Sequence, residues 1–257
     1  MEVDITERGE VPEGARALAD EKIGGLDRYV NTQFLRGHVV LRMEANPRIE
    51  RPARAEGEVI LDGKMVRAQV ASYDMTTAID QLAQRLERQL RSFVERRVGE
   101  RDRGSARRPG EYRHGDVGEQ RPGFFRRPPE EREMVRTKSF AIGEMDAVEA
   151  AAEMEMLDHD FFLFRDVDDG VDAVVYRRDD GRTGVIGPLG MGWDGADENG
   201  IVREDSRGPE PPRLAEVVNE MNELDHRFLY FVDEESGRAR VIYLRYDGHY
   251  GLIEPGE

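Results

Sequence analysis

Residues 145–188 align on residues 212–255 without a gap at a constant offset of 67, and 18 of the 44 paired positions are identical. The corner "LDHDFFLFRD", Leu157 to Asp166, returns as "LDHRFLYFVD", Leu224 to Asp233. The match carries Leu157/Leu224, Phe161/Phe228, Phe164/Phe231, Tyr176/Tyr243, the turns Asp180-Gly181 and Asp247-Gly248, and Pro188/Pro255. A chain that repeats itself in this way contains one folding unit twice. Each copy reads as a helix followed by three short strands. In the second copy Leu214, Val217, Val218, Met221 and Leu224 set the helical stripe, and "FLYFVD", "RVIYLR" and "YGLIEP" follow as strands. In the first copy the stripe is Ala147, Ala150, Ala151, Met154 and Leu157, smaller and suited to close approach. A unit of about 45 residues is too small to hold a comfortable core alone. Pairing one unit with another covers its open sheet face and edges. The repeated aromatics Phe161, Phe164, Tyr176, Phe228, Phe231 and Tyr243 are therefore candidates for the pairing surface.

The rest of the chain is organised differently. "EVDIT" alternates as a strand, and Leu18, Ile23, Leu26 and Tyr29 recur at helical spacing. "HVVLRMEA" is a strand, and "AEGEVILDG" with "KMVRAQVAS" is a hairpin turning at Asp62-Gly63. Asp74 then caps a long helix whose Met75, Ile79, Leu82, Leu86, Leu90 and Phe93 form one apolar stripe. The class is α+β: a β-α-β-β-β-α domain followed by two small repeat modules, the domain's sheet covered on one face by its two helices. The domains are 1–98, a linker over 99–134 rich in Gly, Pro and Arg, a first module at 135–189, a linker of loop composition at 190–210, and a second module at 211–257.

Charge separates these parts. Residues 1–101 carry 17 Lys and Arg against 18 Asp and Glu, whereas 136–257 carry 13 against 29, so the formal charge of −16 resides in the C-terminal half. Any contact with nucleic acid belongs to the N-terminal part. There Arg85, Arg88 and Arg91 point away from the helix stripe with Arg96 at its flank, as a solvated face or as a row of phosphate contacts.

Several chemistries fail on their own requirements. No cysteine is present, which removes disulfides, thiolate catalysis and sulfur-ligated zinc. His159 and His226 each stand alone beside an Asp at the helix-to-strand corner, where capping explains them and a three- or four-ligand metal site does not. "DVDDGVD", Asp166 to Asp172, places Val171 and Arg177 where a calcium loop needs Gly and Glu. "GPLGMGWDG" lacks the Lys-Ser/Thr of a phosphate loop. No nucleophile, base and orienter stand in recognisable order, so the chain reads as a non-enzyme without metal or cofactor. No apolar run spans a bilayer and no leader is evident, as expected of a soluble cytoplasmic protein.

"MVRAQVASYDMTTAIDQLAQRLERQLRSFVERR", Met65 to Arg97, and "RALADEKIGGLDRY", Arg16 to Tyr29, resemble the N-terminal domain of long-form ribosome hibernation-promoting factors. "VRTKSF", Val135 to Phe140, "VVYRRDDGRTGVIGP" and "YLRYDGHYGLIEP" resemble that family's C-terminal dimerisation domain. The resemblance implies an N-terminal domain similar in outline to double-stranded RNA-binding domains. It implies binding to the 30S subunit and 16S rRNA between head and body, across the mRNA and tRNA sites, in idle 70S ribosomes. The family's basic positions fall on Arg16, Lys22, Arg28, Arg85, Arg88 and Arg91, with Lys64, Arg67, Arg96 and Arg97 as additions; Glu21 and Gly25 stand where relatives often carry lysine. The ordinary long form has one C-terminal module and joins two 70S ribosomes into a 100S pair. Two modules resemble the dormancy-associated factors of mycobacteria and related actinobacteria. The copies are expected to pair within the chain, leaving 70S monosomes, while the acidic half faces basic ribosomal proteins.

Overall fold

The computed structural model describes all residues except 31–34, 62, 102–126, 179, 197–198, 207–212, 224–225, 234–235, 246 and 257, and gives the backbone alone for 35 and 96–101. Most of the expected linker, with its arginines, therefore lies outside the described residues. The chain divides into two compact units, one holding the N-terminal domain and the other nearly everything after the linker.

In the first unit, strand β1 (Glu2–Arg8) leads to helix α1 (Ala15–Gly24) and a 3-10 turn (Gly25–Tyr29). Strands β2 (Leu35–Met43), β3 (Ala53–Leu61) and β4 (Lys64–Ser72) and helix α2 (Met75–Arg101) follow. The sheet order is β1-β2-β3-β4, with β1 parallel to β2 and the other pairs antiparallel. Strand alternation sends Ala53, Ala55, Val59 and Leu61 to one face, where they meet Ile23 of α1 and Ile79, Leu82, Leu86 and Leu90 of α2. Gly57 permits the close approach of α2: a Cβ there would stand 2.9 Å from a Leu86 methyl. Asp74 caps α2 as its sequence predicts, its Oδ1 accepting from the Thr77 N–H at 2.8 Å. The helix runs to Arg101, past the expected domain limit at 98 and through Gly99.

The second unit begins with β5 (Met134–Phe140) and β6 (Glu144–Met145). The first module follows as α3 (Ala147–Met156), β7 (Phe161–Asp166), β8 (Val171–Arg177) and β9 (Thr183–Gly187). Then come β10 (Asp194–Ala196), β11 (Val202–Asp205), and the second module as α4 (Leu214–Glu223), β12 (Phe228–Val232), β13 (Ala239–Leu244) and β14 (Tyr250–Pro255). Each module is the helix and antiparallel three-strand meander read from the repeat. Both contain a Tyr facing a Gly across two strands, Tyr176 with Gly184 and Tyr243 with Gly251. A Cβ on either Gly would come within 2.5 Å of the Tyr ring, so the ring lies over the glycine backbone. At the repeated corner Asp158 takes a left-handed conformation, φ 50°, which Asp tolerates better than most residues; the corner's role is to turn helix into strand.

The segment 190–210 differs from the loop expected there. It contains β10 and β11, short strands that its Gly-rich, polar composition hides and that tertiary pairing imposes. β11 joins β9 in parallel, and β10 covers β11 antiparallel. Asp205 fixes the preceding bend, accepting from the N–H groups of Gly190, Gly192 and Trp193 at 2.9–3.0 Å; these bonds hold its carboxyl below the usual carboxylate range despite some desolvation.

The leading strands are exchanged. β5 precedes the first module yet pairs in parallel with β14 of the second. β11 precedes the second module yet pairs in parallel with β9 of the first. At the repeat offset of 67, β5 and β11 are equivalent, as are β9 and β14, so each copy completes the other's sheet.

Candidate nucleic-acid interface and module pairing surface

The first unit gathers cations on its two-helix face. Lys22 on α1 bonds Asp80 on α2 at 2.9 Å, which raises the lysine's affinity for its proton. Tyr29 lies between two guanidinium groups, with Arg28 at 4.8 Å and Arg91 at 4.4 Å from its ring centroid. Arg91, 55% exposed, also bonds Glu87 one turn earlier at 2.7 Å, while Arg88 is exposed beside it. The result is an aromatic ring partly buried against the domain core and framed by cations, a combination suited to phosphates and base faces.

The other expected contacts are dispersed. Arg16 donates to the Ile5 carbonyl and lies 3.6 Å from Glu7 at the β1 end. Arg67 is on the sheet face opposite the helices, held by Glu56 at 3.3 Å and Glu58 at 3.6 Å. Lys64 is exposed beside Gly63 in the β3–β4 turn. The side chains of Arg96 and Arg97 lie outside the described residues. Arg85 requires a correction: it does not point away from the core but is buried, its Nη1 donating to the Gln69 carbonyl of β4 at 2.6 Å. At about 100° per residue Arg85 stands roughly 100° from the centre of the α2 stripe, whereas Arg88 and Arg91 stand roughly 140–160° away. Arg85 is thus a flank residue that braces helix to strand. Tyr29 is the residue the sequence reading passed over, although its place directly after Arg28 was the available signal.

In the second unit each sheet has a helix on one face and the other module on its opposite face. Leu163, Val174, Tyr230, Ala239 and Val241 form a shared buried cluster, with Phe161, Tyr176, Ile186, Phe228, Val232 and Ile253 packed against it. Phe161 stacks on Phe228 with centroids 4.9 Å apart, and these two are equivalent positions of the repeat. Phe161 meets Tyr243 at 5.7 Å, and Phe228 meets Tyr176 at 5.5 Å, so the contacts are reciprocal in the way of a two-fold interface. Phe164 and Phe231 do not belong to this surface; they lie in the separate helix-facing cores of their own modules. Phe161 and Phe164 are three apart on one strand, so alternation sends them to opposite faces.

One contact breaks the symmetry. Asp172, buried on β8, meets Arg165 at 3.0 Å, Arg238 of the second module at 2.6 Å and the Ala239 N–H at 3.4 Å. The hydroxyl of Tyr230 donates to the Asp172 carbonyl at 2.9 Å. Burial alone would push the Asp172 carboxyl up, but the bonds from Arg238, Arg165 and Ala239 outweigh it and hold the group below its usual range. Burial and the Glu204 carboxylate push the Tyr176 hydroxyl up to about 12. The acids of "DVDDGVD" are occupied in this way: Arg203 bonds Asp166 and Asp169 at 3.0 and 3.1 Å. Among the described residues no group of three His, Asp or Glu could hold a metal ion, and no helix is long and apolar enough to cross a membrane.

The pattern described as "Sigma 54 modulation protein / S30EA ribosomal protein" matches residues 3–98. Its C-terminal counterpart, "Sigma 54 modulation/S30EA ribosomal protein C terminus", matches twice, at 129–185 and 196–252. The chain belongs to this family. Each C-terminal match starts ahead of the strand that is given to the other module, so the S30EA C-terminal unit includes that strand. The chain is 38% identical over 182 residues to the "Ribosome hibernation promotion factor" of Lactococcus lactis subsp. cremoris, covering 70% of this chain and 94% of that protein. It is 37% identical over 180 residues to the protein of that name from Deinococcus radiodurans, covering 69% and 93%. Among solved structures, the Thermus thermophilus Protein Y N-terminal domain is 32% identical, with a TM-score of 0.31, covering 36% of this chain and 99% of that one. The S30EA family is non-catalytic, and the chain is not an enzyme.

Proposed function

We propose that this chain is a ribosome hibernation factor. Its N-terminal domain binds the 30S subunit in the mRNA and tRNA channel against 16S rRNA, inhibits translation and stabilises idle 70S ribosomes in the cytoplasm without joining them into 100S pairs. The observation that carries this reading is the reciprocal packing of two C-terminal units in one chain. The surface that a second factor would need is occupied by the chain's own other copy. The cation-framed Tyr29 face supports a phosphate-rich partner, and the near-neutral charge of 1–101 makes binding depend on those focused groups. The excess of carboxylates in residues 136–257 suits basic ribosomal proteins rather than RNA.

Sedimentation tests both parts. Purified factor added to its 70S ribosomes should co-migrate with monosomes, and Arg28→Glu, Arg88→Glu and Arg91→Glu together should abolish co-migration. A 100S peak that depends on the factor would overturn the monosome reading.

A further inference from the structure

The two exchanged strands end differently. On the first sheet β10 lies outside β11 and closes the edge. On the second sheet the order ends at β5, which has no strand beyond it among the described residues. All seven residues of β5 are exposed, including Met134, Val135 and Phe140 at 37%, 47% and 39%. The repeat offset equates Arg136 with Arg203. Arg203 is held by Asp166 and Asp169 and stands 4.9 Å over the Trp193 ring, whereas Arg136 is exposed on an open edge.

We propose that β5 is a docking edge for an acidic, extended segment of another protein, added antiparallel as a further strand of the second sheet. Three observations select this occupant. The equivalent edge of the first sheet is covered by an antiparallel strand, so this sheet type accepts one there. Arg136 and Lys138 lie two apart on the same side of β5, and a strand with carboxylates two apart sets one opposite each. A second copy of β5 fits poorly: antiparallel self-pairing centred on Thr137 sets Arg136 against Lys138, like charge against like. An RNA backbone would use the two cations but leave the row of backbone N–H and C=O groups and the three apolar side chains uncovered. The cations thus protect the edge against self-association while admitting an acidic strand.

The test uses the full chain, isotope-labelled, with three probes: a ten-residue peptide alternating Glu and Val, the same peptide with Lys for Glu, and oligouridylate. The acidic peptide should bind at least tenfold more tightly than the basic one and slow amide exchange in β5 by tenfold or more. Arg136→Glu with Lys138→Glu should reverse the preference, and the milder Arg136→Ser with Lys138→Ser should abolish it if the first variant fails to fold. Equal binding of the two peptides, peptide protection elsewhere than β5, or protection of β5 by oligouridylate instead overturns the proposal. Protection of β5 that rises with protein concentration alone would identify a second copy as the occupant and overturn it equally. None of these readouts involves ribosomes, so failure here is separable from failure of the hibernation reading.

Discussion

The two C-terminal modules share a fold, a corner, a Tyr-Gly pair and an exchanged strand, yet they have diverged where they meet. Asp172 of the first faces Ala239 of the second, and the repeat makes these positions equivalent. In a pair of identical modules, Asp at this position would bring a second carboxylate against the first, a costly arrangement in a buried place. Two copies in one chain escape that constraint: one carries the acid, and the other carries Ala and the partner Arg238. Joining the copies allows a lopsided interface that a self-pairing module could not evolve. The same difference appears at the edges: β10 closes one sheet, and among the described residues the other ends at β5.

The comparison can be broken at several depths. The largest effect is expected inside one module: Phe164→Ala, at a fully buried site, should cost about 3–5 kcal/mol in denaturant unfolding. Phe161→Ala, partly buried at the pairing surface, should cost less, about 1–3 kcal/mol, and its effect should shrink when Phe228 is already Ala. Equal and additive losses would mean that the two faces are not distinct. Next, Asp172→Ala leaves Arg165 and Arg238 without their shared carboxylate; since both arginines reach solvent, about 1–2 kcal/mol is expected, against little for Ala239→Ser.

Acid should act through the same group. The folded-state affinity of Asp172 for a proton is lowered, so its contribution is present above the unfolded carboxylate range near 3.9 and is lost as pH falls further, through the folded value. Asp172→Asn should therefore flatten the decline of stability below about pH 4, measured by thermal unfolding against pH. The smallest effect is expected in the first unit. Arg85→Met should lower the melting temperature by a few degrees, since the Gln69 carbonyl loses its charged donor, while Arg91→Met leaves it unchanged and weakens ribosome binding instead.

The limits of the sequence lie in identifiable residues. The α2 stripe, the Asp74 cap and both meanders were legible because period and capping are local properties. The position of Arg85 is also legible in the sequence, since 100° per residue sets it at the stripe's flank. Phe164 and Phe231 could have been separated from Phe161 and Phe228 by strand parity alone. The exchange of β5 and β11 was not legible. Each strand suits either copy's sheet, and the choice is a long-range pairing that alternation does not encode. β10 and β11 were hidden because Asp205 and the neighbouring strand, rather than local propensity, hold them in place.

The exchange also alters what dilution can do. A pair assembled from separate chains dissolves as its concentration falls. Here the two halves share a backbone, so each meets the other at an effective concentration on the order of millimolar, whatever the number of molecules present. Neither half can leave without pulling a strand out of the other's sheet. The first copy synthesised is already as fully paired as the thousandth, and the pairing has no abundance threshold to cross.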